Sequence, residues 1–357
     1  MHCVEKYPAG VELVRVANEV NLLRRFPRVT VTAASALAAF SLASSAFADP
    51  SSTSPQQGYD LGEIQSPREM ALGGAQNALG AGTTAIYMNP ANLPTTRVYQ
   101  FEGLAAFSPD ARRQSYGGGV ADSSTSRLAG GFGGTWNMQD PDAVNRKWAD
   151  LRLALAYPIT DKIFLGVTGR YLHATQSVAS GPFGQSLVSD GTRDSPLFNT
   201  FTFDLGATVL PVEGLAIGLV GHNLTAPGTS LAPTTLAGGI GYQTHLFALE
   251  GDALADFTTW GTTRARAMFG AEVFLADHFP IRAGYRYDDG QKAHALSAGL
   301  GYIDRKFSIE LSGRRDVVAA HPMTLFVLGL RYFYDSGDTS ADDMSGTGSD
   351  IGAADAM

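Results

Sequence analysis

The side chains best placed to do chemistry in this 357-residue chain are charged residues set singly within apolar stretches. They are Glu102, Arg170, Asp204, Arg264, Arg266, Glu272, Arg282 and Arg286. Guanidinium and carboxylate groups at such spacing can pair across neighbouring strands, either lining a polar path for a solute or forming a structural ion ladder. Both roles stay open for each residue. Signatures of catalysis are weak by comparison. Gly80-Ala-Gly82-Thr-Thr-Ala85 has the letters of a dinucleotide fingerprint, with Glu102 downstream, but no apolar strand precedes it. No Lys follows a Gly, which excludes a phosphate-binding Walker loop, and there is no His-Glu-x-x-His. The histidines lie singly, most of them near strand ends, so no metal set is expected; His222 beside a serine is the one hydrolytic pairing left to consider. Cys3 is the only cysteine, so loss of the N-terminus leaves no thiol for a disulfide, a metal or a nucleophile. The expectation is a protein that is no enzyme and carries no cofactor.

Those charges need elements that aim them all one way. Between residues 97 and 334, apolar residues alternate with small or polar ones in runs of about ten, the pattern of half-lipid-facing strands. Starts fall near Arg97, Gln114, Arg127, Lys147, Lys162, Leu197, Leu215, Thr234, Leu246, Thr263, Pro280, Lys292, Phe307 and Met323, which makes fourteen strands. Mid-strand charges avoid the apolar parity. Ile163, Leu165, Val167 and Tyr171 oppose Arg170; Phe201, Phe203, Leu205 and Val209 oppose Asp204; Ile281, Tyr285 and Tyr287 oppose Arg282 and Arg286. Glu102, Arg152, Glu250, Asp252, Glu310 and Arg314 obey the same rule. A lipid-facing Arg or Lys costs roughly 2–4 kcal/mol at the bilayer midplane, which accounts for the exclusion. A soluble sandwich would instead carry Lys and Glu freely on its water face. The expected fold is therefore all-β: a transmembrane antiparallel barrel of about 14 strands.

Connectors also alternate. Residues 158–161, 211–214, 276–279 and 304–306 read as tight turns on the periplasmic side. The segments 137–146, 176–196 and 225–233 read as longer outer loops. Tyr99, Tyr157, Tyr171, Tyr242, Tyr302, Tyr332 and Tyr334 lie near strand ends, where interfacial aromatic girdles belong. Charged residues make up 17% of the chain and Gly numbers 41, a composition that suits β-structure with a narrow lumen. A net charge of −8 without basic clusters excludes nucleic acid as a partner.

Residues 1–48 read as a leader and signal peptide: Arg24, Arg25 and Arg28, an apolar run from Val29, and Ala46-Phe47-Ala48 before Asp49. The stretch ahead of Arg24 is long for a signal, which fits a true start near Val20. Cleavage leaves 21 basic and 31 acidic residues, a net of −10. Residues 49–96 divide into a polar linker, 49–57, and a segment without clean period that reads as a compact helix-and-turn element. Residues 97–334 form the barrel. Residues 335–357, with six acids and no base, read as a disordered tail that could dock a periplasmic protein partner.

Within the compact element stand Arg68-Glu-Met-Ala-Leu-Gly-Gly-Ala75 and Ala85-Ile-Tyr-Met-Asn-Pro-Ala-Asn-Leu93. This pairing resembles the N-terminal signature of the FadL-type outer-membrane transporter superfamily, whose relatives include barrel components of secretion systems. Ile281-Arg-Ala-Gly-Tyr-Arg-Tyr-Asp288 and Leu296-Ser-Ala-Gly-Leu-Gly-Tyr302 are similar to its closing strands. The resemblance implies a bacterial outer-membrane barrel, embedded in lipid, that passively carries small hydrophobic molecules and is plugged by its own N-terminal segment. Asn89, Pro90 and Ala91 would then form the plug turn. The family's third strand kinks to open sideways, which would make Gly130, Gly131, Gly133 and Gly134 a lateral gate; close packing of these glycines against the plug is the alternative. Two departures stand out: Asn92 replaces the usual glycine, and the outer loops are short and polar, so a fatty acid is not the expected cargo. A barrel that scaffolds a secretion or assembly machine, and a plain diffusion pore, are the rival functions.

Overall fold

The computed structural model describes Glu63 and residues 66–139, 145–175, 180–181, 184–185, 196–227, 231–260, 262–319 and 322–334. The signal-peptide, linker and acidic-tail expectations, and nearly all of the 176–195 loop, lie outside these residues.

Fourteen antiparallel strands close into one barrel. They are β1 Tyr99–Ser108, β2 Arg113–Asp122, β3 Ala129–Gln139, β4 Arg146–Thr160 and β5 Ile163–Thr175. Next come β6 Pro196–Val212, β7 Leu215–His222, β8 Thr235–Gln243, β9 Phe247–Asp256 and β10 Arg264–Leu275. The last four are β11 Phe279–Asp288, β12 Ala293–Ile303, β13 Phe307–Val318 and β14 Thr324–Phe333. Each begins within two residues of the start read from alternation. Every strand pairs with its sequence neighbour, and β1 closes on β14 in register, Glu102 opposite Arg331 and Phe107 opposite Phe326. Closure leaves no edge whose N–H and C=O groups would lie bare in hydrocarbon.

The alternation survives as burial. Leu153, Leu165, Phe201, Leu205, Leu219, Ile240, Phe269 and Leu330 point outward and are exposed, whereas Arg152, Arg170, Asp204, Glu250, Glu272, Arg282 and Glu310 point inward and are buried. An apolar exterior around a charged interior inverts a soluble protein and is the arrangement of a barrel that spans lipid. Ring contacts gather where β1, β11, β12 and the end of β14 meet one end of the barrel: Tyr99 lies 5.5 Å from Tyr334 and 5.3 Å from Phe101, and Tyr302 lies 5.4 Å from Phe279. This short-turn end carries the start of β1 and the end of β14. Its connections include Asp161-Lys162, Glu213-Gly214 and 276–278, the last with Ala276 and Asp277 at φ 52° and 61°. At the opposite, long-loop end, Leu231 and Ala232, which precede β8, are buried. They pack with Trp148, Leu172 and Ala174 as a buried cluster.

Residues 66–96 lie inside the barrel and are almost wholly buried. Ser66 accepts a hydrogen bond from the Glu69 N–H and starts a one-turn helix, α1 Pro67–Ala71, with Pro67 where a missing N–H costs nothing. Two 3-10 turns follow, Gly82–Ile86 and Pro90–Thr95. The segment circles the bore: α1 touches β11 to β14, Gly82–Ile86 touches β1 to β4, and Pro90–Thr95 touches β3 to β6.

Candidate functional site

The inner segment is fixed to the wall by side chains that the strands aim inward. On one side an alternating chain of charges runs from the segment through residues of five strands, β10, β11, β13, β14 and β1. Arg68 Nη2 donates to Glu272 Oε1 at 2.9 Å, and Arg282 bridges Glu272 and Glu310. Arg331 then bonds Glu310 at 3.4 Å and Glu102 at 3.1 Å, and the Thr83 hydroxyl donates to Glu102 at 2.5 Å. Buried charge is tolerated only when paired and hydrogen-bonded, and each of these carboxylates has at least two partners, Ser308 being a third for Glu310. Ser297 adds a hydrogen bond to the Ala71 carbonyl at 3.0 Å, and Ser312 adds one to Pro67.

A second anchor holds the turn after α1. Asp252 Oδ2 accepts the backbone N–H groups of Gln76 and Asn77, each at 2.9 Å, and Glu250 Oε1 accepts those of Ala78 and Leu79. A third holds the Asn-Pro turn. Asn89 Oδ1 accepts from the Ala91 N–H at 3.1 Å, its amide donates to the Asn77 carbonyl at 2.8 Å and the Thr208 hydroxyl at 3.1 Å, and Pro90 opens the second 3-10 turn. Asn89, Pro90 and Ala91 therefore stand together against β5 and β6, where Cβ atoms at Gly166 and Gly206 would strike them.

The four glycines of β3 do not share one face. Gly131 and Gly133 point inward, and a Cβ on Gly131 would lie 2.8 Å from Ile86 while one on Gly133 would strike the Tyr87 ring and hydroxyl. Gly130 and Gly134 point outward, toward Leu155 and Leu151. β3 pairs with β2 and with β4 along its whole length without a register shift, so the strand holds neither bulge nor gap. The bare backbone extends sideways on the outer face, where Gly103, Gly118 and Gly134 stand directly opposite one another on β1, β2 and β3.

Above the Asn-Pro turn lies another charge cluster. Asp150 accepts from Arg152 at 3.1 Å and from Arg170 at 2.6 Å, and His222 Nδ1 lies 3.2 Å from Asp204. Arg170 also donates to Asn223 and to the Leu231 carbonyl, and Arg152 donates to the Tyr87 carbonyl while lying 5.2 Å over its ring. Across the bore, Arg266 pairs with Asp288 at 3.0 Å and with Glu63, and Arg286 pairs with Glu63 at 3.1 Å. Of the expected lumen residues, Glu102, Glu272 and Arg282 thus belong to the ion chain, and Arg170, Asp204, Arg266 and Arg286 belong to the upper clusters. Arg264 stands apart at the rim, half exposed and paired with Asp289 at 3.2 Å.

Between these clusters, the inner segment and residues 231–233 is a cavity of about 110 Å³. Glu69, Asn77, Tyr87 and Met88 form its floor side, Leu254 and Met268 its flank, and Leu231 and Pro233 its long-loop side, with Arg152, Arg170, Arg266 and Arg286 around it. Alternation could not find Glu69 and Asn77, because they sit in a segment with no period. Among the described residues no group of three or more His, Cys, Asp or Glu is arranged to hold a metal.

In fold the chain is similar to the CymD monoaromatic hydrocarbon channel, at 12% identity and a TM-score of 0.58 over 75% of this chain and 97% of that one. It is similar also to the toluene transporter TbuX of Ralstonia pickettii, at 15% identity and a TM-score of 0.57 over 76% and 99%. A FadL homologue of Pseudomonas aeruginosa gives 12% identity and a TM-score of 0.55 over 76% and 99%. No family model matches the chain, and no curated protein matches it in sequence. The likeness is one of fold, and it agrees with the transmembrane barrel expected from strand alternation.

Proposed function

We propose that the protein is a passive transporter of small, apolar solutes in the bacterial outer membrane, gated by residues 66–96 acting as a plug. The observation that carries this reading is the placement of a cavity between a buried, self-supplied inner segment and the long-loop end of a closed barrel. Such a cavity can receive a solute from outside while the segment bars the bore beneath it. The fold of hydrocarbon channels and toluene transporters supports the class of cargo. A filled bore also favours a gated path over a standing diffusion pore.

The exit belongs to the glycine wall of β1 to β3. β3 is fully paired, so an exit there opens when Ile86 and Tyr87 withdraw from Gly131 and Gly133 and leave bare backbone on both faces. Deleting residues 58–96 tests the whole scheme in planar bilayers. The full chain should be silent and the deletion should conduct. A full chain that already conducts at the same level would rule out the plug, and the uptake of toluene by cells with and without the protein tests the cargo.

A further inference from the structure

The cavity contains two hydrogen-bond acceptors that the fold leaves unsatisfied. Glu69 Oε2 and Asn77 Oδ1 are buried without a partner among the described residues, on side chains 4% and 1% exposed, and both residues line the cavity. Gln76 Oε1 and Thr96 Oγ1 of the same segment are also buried without a partner among the described residues, but neither residue lines the cavity. The Asn77 amide nitrogen, by contrast, donates to Asp252 at 2.8 Å, and Asn89 is bonded at both ends of its amide. An unmet buried acceptor costs free energy that a donor entering the cavity recovers.

Size and charge limit what can enter. A dry cavity of about 150 Å³ accepts benzene, so about 110 Å³ suits a solute of one small ring or less. An ammonium group would meet Arg152, Arg170, Arg266 and Arg286. A carboxylate would meet Glu63, and the guanidinium groups of Arg152, Arg170 and Arg266 already bond Asp150, Asp288 and Glu63. What remains is a neutral molecule with a donor. Met268, Leu254, Met88 and Leu231 would cover its apolar body.

We propose that this cavity selects small neutral solutes bearing a hydroxyl group, such as a phenol or a compact alcohol, over hydrocarbons of the same shape. The hydroxyl donates to Asn77 Oδ1 or Glu69 Oε2 while the ring lies against the apolar flank. The inference rests on the transport reading and narrows its cargo. Burial, and then the neighbouring Glu63 carboxylate, hold the Glu69 carboxyl well above the usual carboxylate range, which keeps that wall neutral toward such a molecule.

The test compares phenol with fluorobenzene, its near-isostere without a donor, on the full-length protein in detergent by titration calorimetry. Phenol should bind about five- to tenfold more tightly, the ratio one neutral hydrogen bond provides, although it prefers water more than fluorobenzene does. Glu69→Met and Asn77→Ser should bring the ratio toward one, and Glu69→Gln, which keeps an acceptor, should retain most of it. Equal or tighter binding of fluorobenzene by the unaltered protein would overturn the selection while leaving the transport reading intact. Binding of neither probe, with uptake of both by cells indifferent to the protein, would overturn the transport reading itself. The comparison on the unaltered chain stands even if a variant fails to fold.

Discussion

The two sides of the bore hold the inner segment by different physics. Against β10 to β14 the segment is bolted: Arg68 enters the chain Glu272–Arg282–Glu310–Arg331–Glu102, and serines fasten the carbonyls on either side of α1. Against β2 and β3 it leans: Ile86 and Tyr87 fill the space left by Gly131 and Gly133, and Tyr87 reaches the Gly118 carbonyl only at 3.3 Å. Breaking the first contact strands charges away from water, whereas breaking the second forfeits dispersion contacts, the long hydrogen bond to Gly118 and the Arg152 contacts to the Tyr87 carbonyl and ring, and leaves Arg152 still paired with Asp150. The leaning side is the one that can move without unfolding the barrel.

The largest expected effect comes from the bolted side. Glu272→Ala removes the shared partner of Arg68 and Arg282 and should cost about 3–5 kcal/mol, as loss of one member of a buried pair does. Urea unfolding followed by tryptophan fluorescence would show it, and an unchanged midpoint would mean that the ion chain is dispensable. On the leaning side, Gly133→Val should cost less, about 1–3 kcal/mol for overpacking, yet raise conductance by displacing Tyr87. If instead Glu272→Ala opened the channel and Gly133→Val left it silent, the assignment of the two sides would be reversed.

A smaller effect follows from Glu69. Its folded-state pKa is raised by burial and then by Glu63, with Arg152 and Arg314 opposing. A carboxyl with a raised pKa leaves the seated segment fully stable below the ordinary carboxylate range, and stability declines as pH rises toward the raised value. Bilayer conductance should therefore grow on alkalinisation, and Glu69→Gln should flatten the profile. The smallest effect belongs to the rim. Asp289 is held below its usual range by hydrogen bonds from Lys292 and Arg264. Because it is exposed, Asp289→Asn should leave both stability and conductance unchanged; a measurable loss would show that the rim pair supports the mouth.

The strands were legible because lipid enforces a rule at every second position: Arg170, Asp204, Arg282 and Arg286 betray the inward face by their absence from the other. The inner segment was legible only as a compact element, since Glu69 and Asn77 lie in one-turn pieces where no face repeats. The β3 glycines stand together in the sequence, yet strand parity itself divides them, Gly131 and Gly133 inward and Gly130 and Gly134 outward. Arg264 obeys the inward parity but opens β10, so its side chain reaches the rim rather than the bore. What parity cannot supply is height along the barrel, and height separates the ion chain from the cavity.

The seam between β1 and β14 has a consequence for how the molecule comes to exist. Residues 66–96 precede β1, yet α1 finds its partners on β11 to β14 and the ladder joins only when Phe107 meets Phe326. α1, the first described element along the chain, is thus the one satisfied latest, and it must already be indoors when the door is hung. A chain truncated before its final strand would forfeit the enclosure and its tenant together.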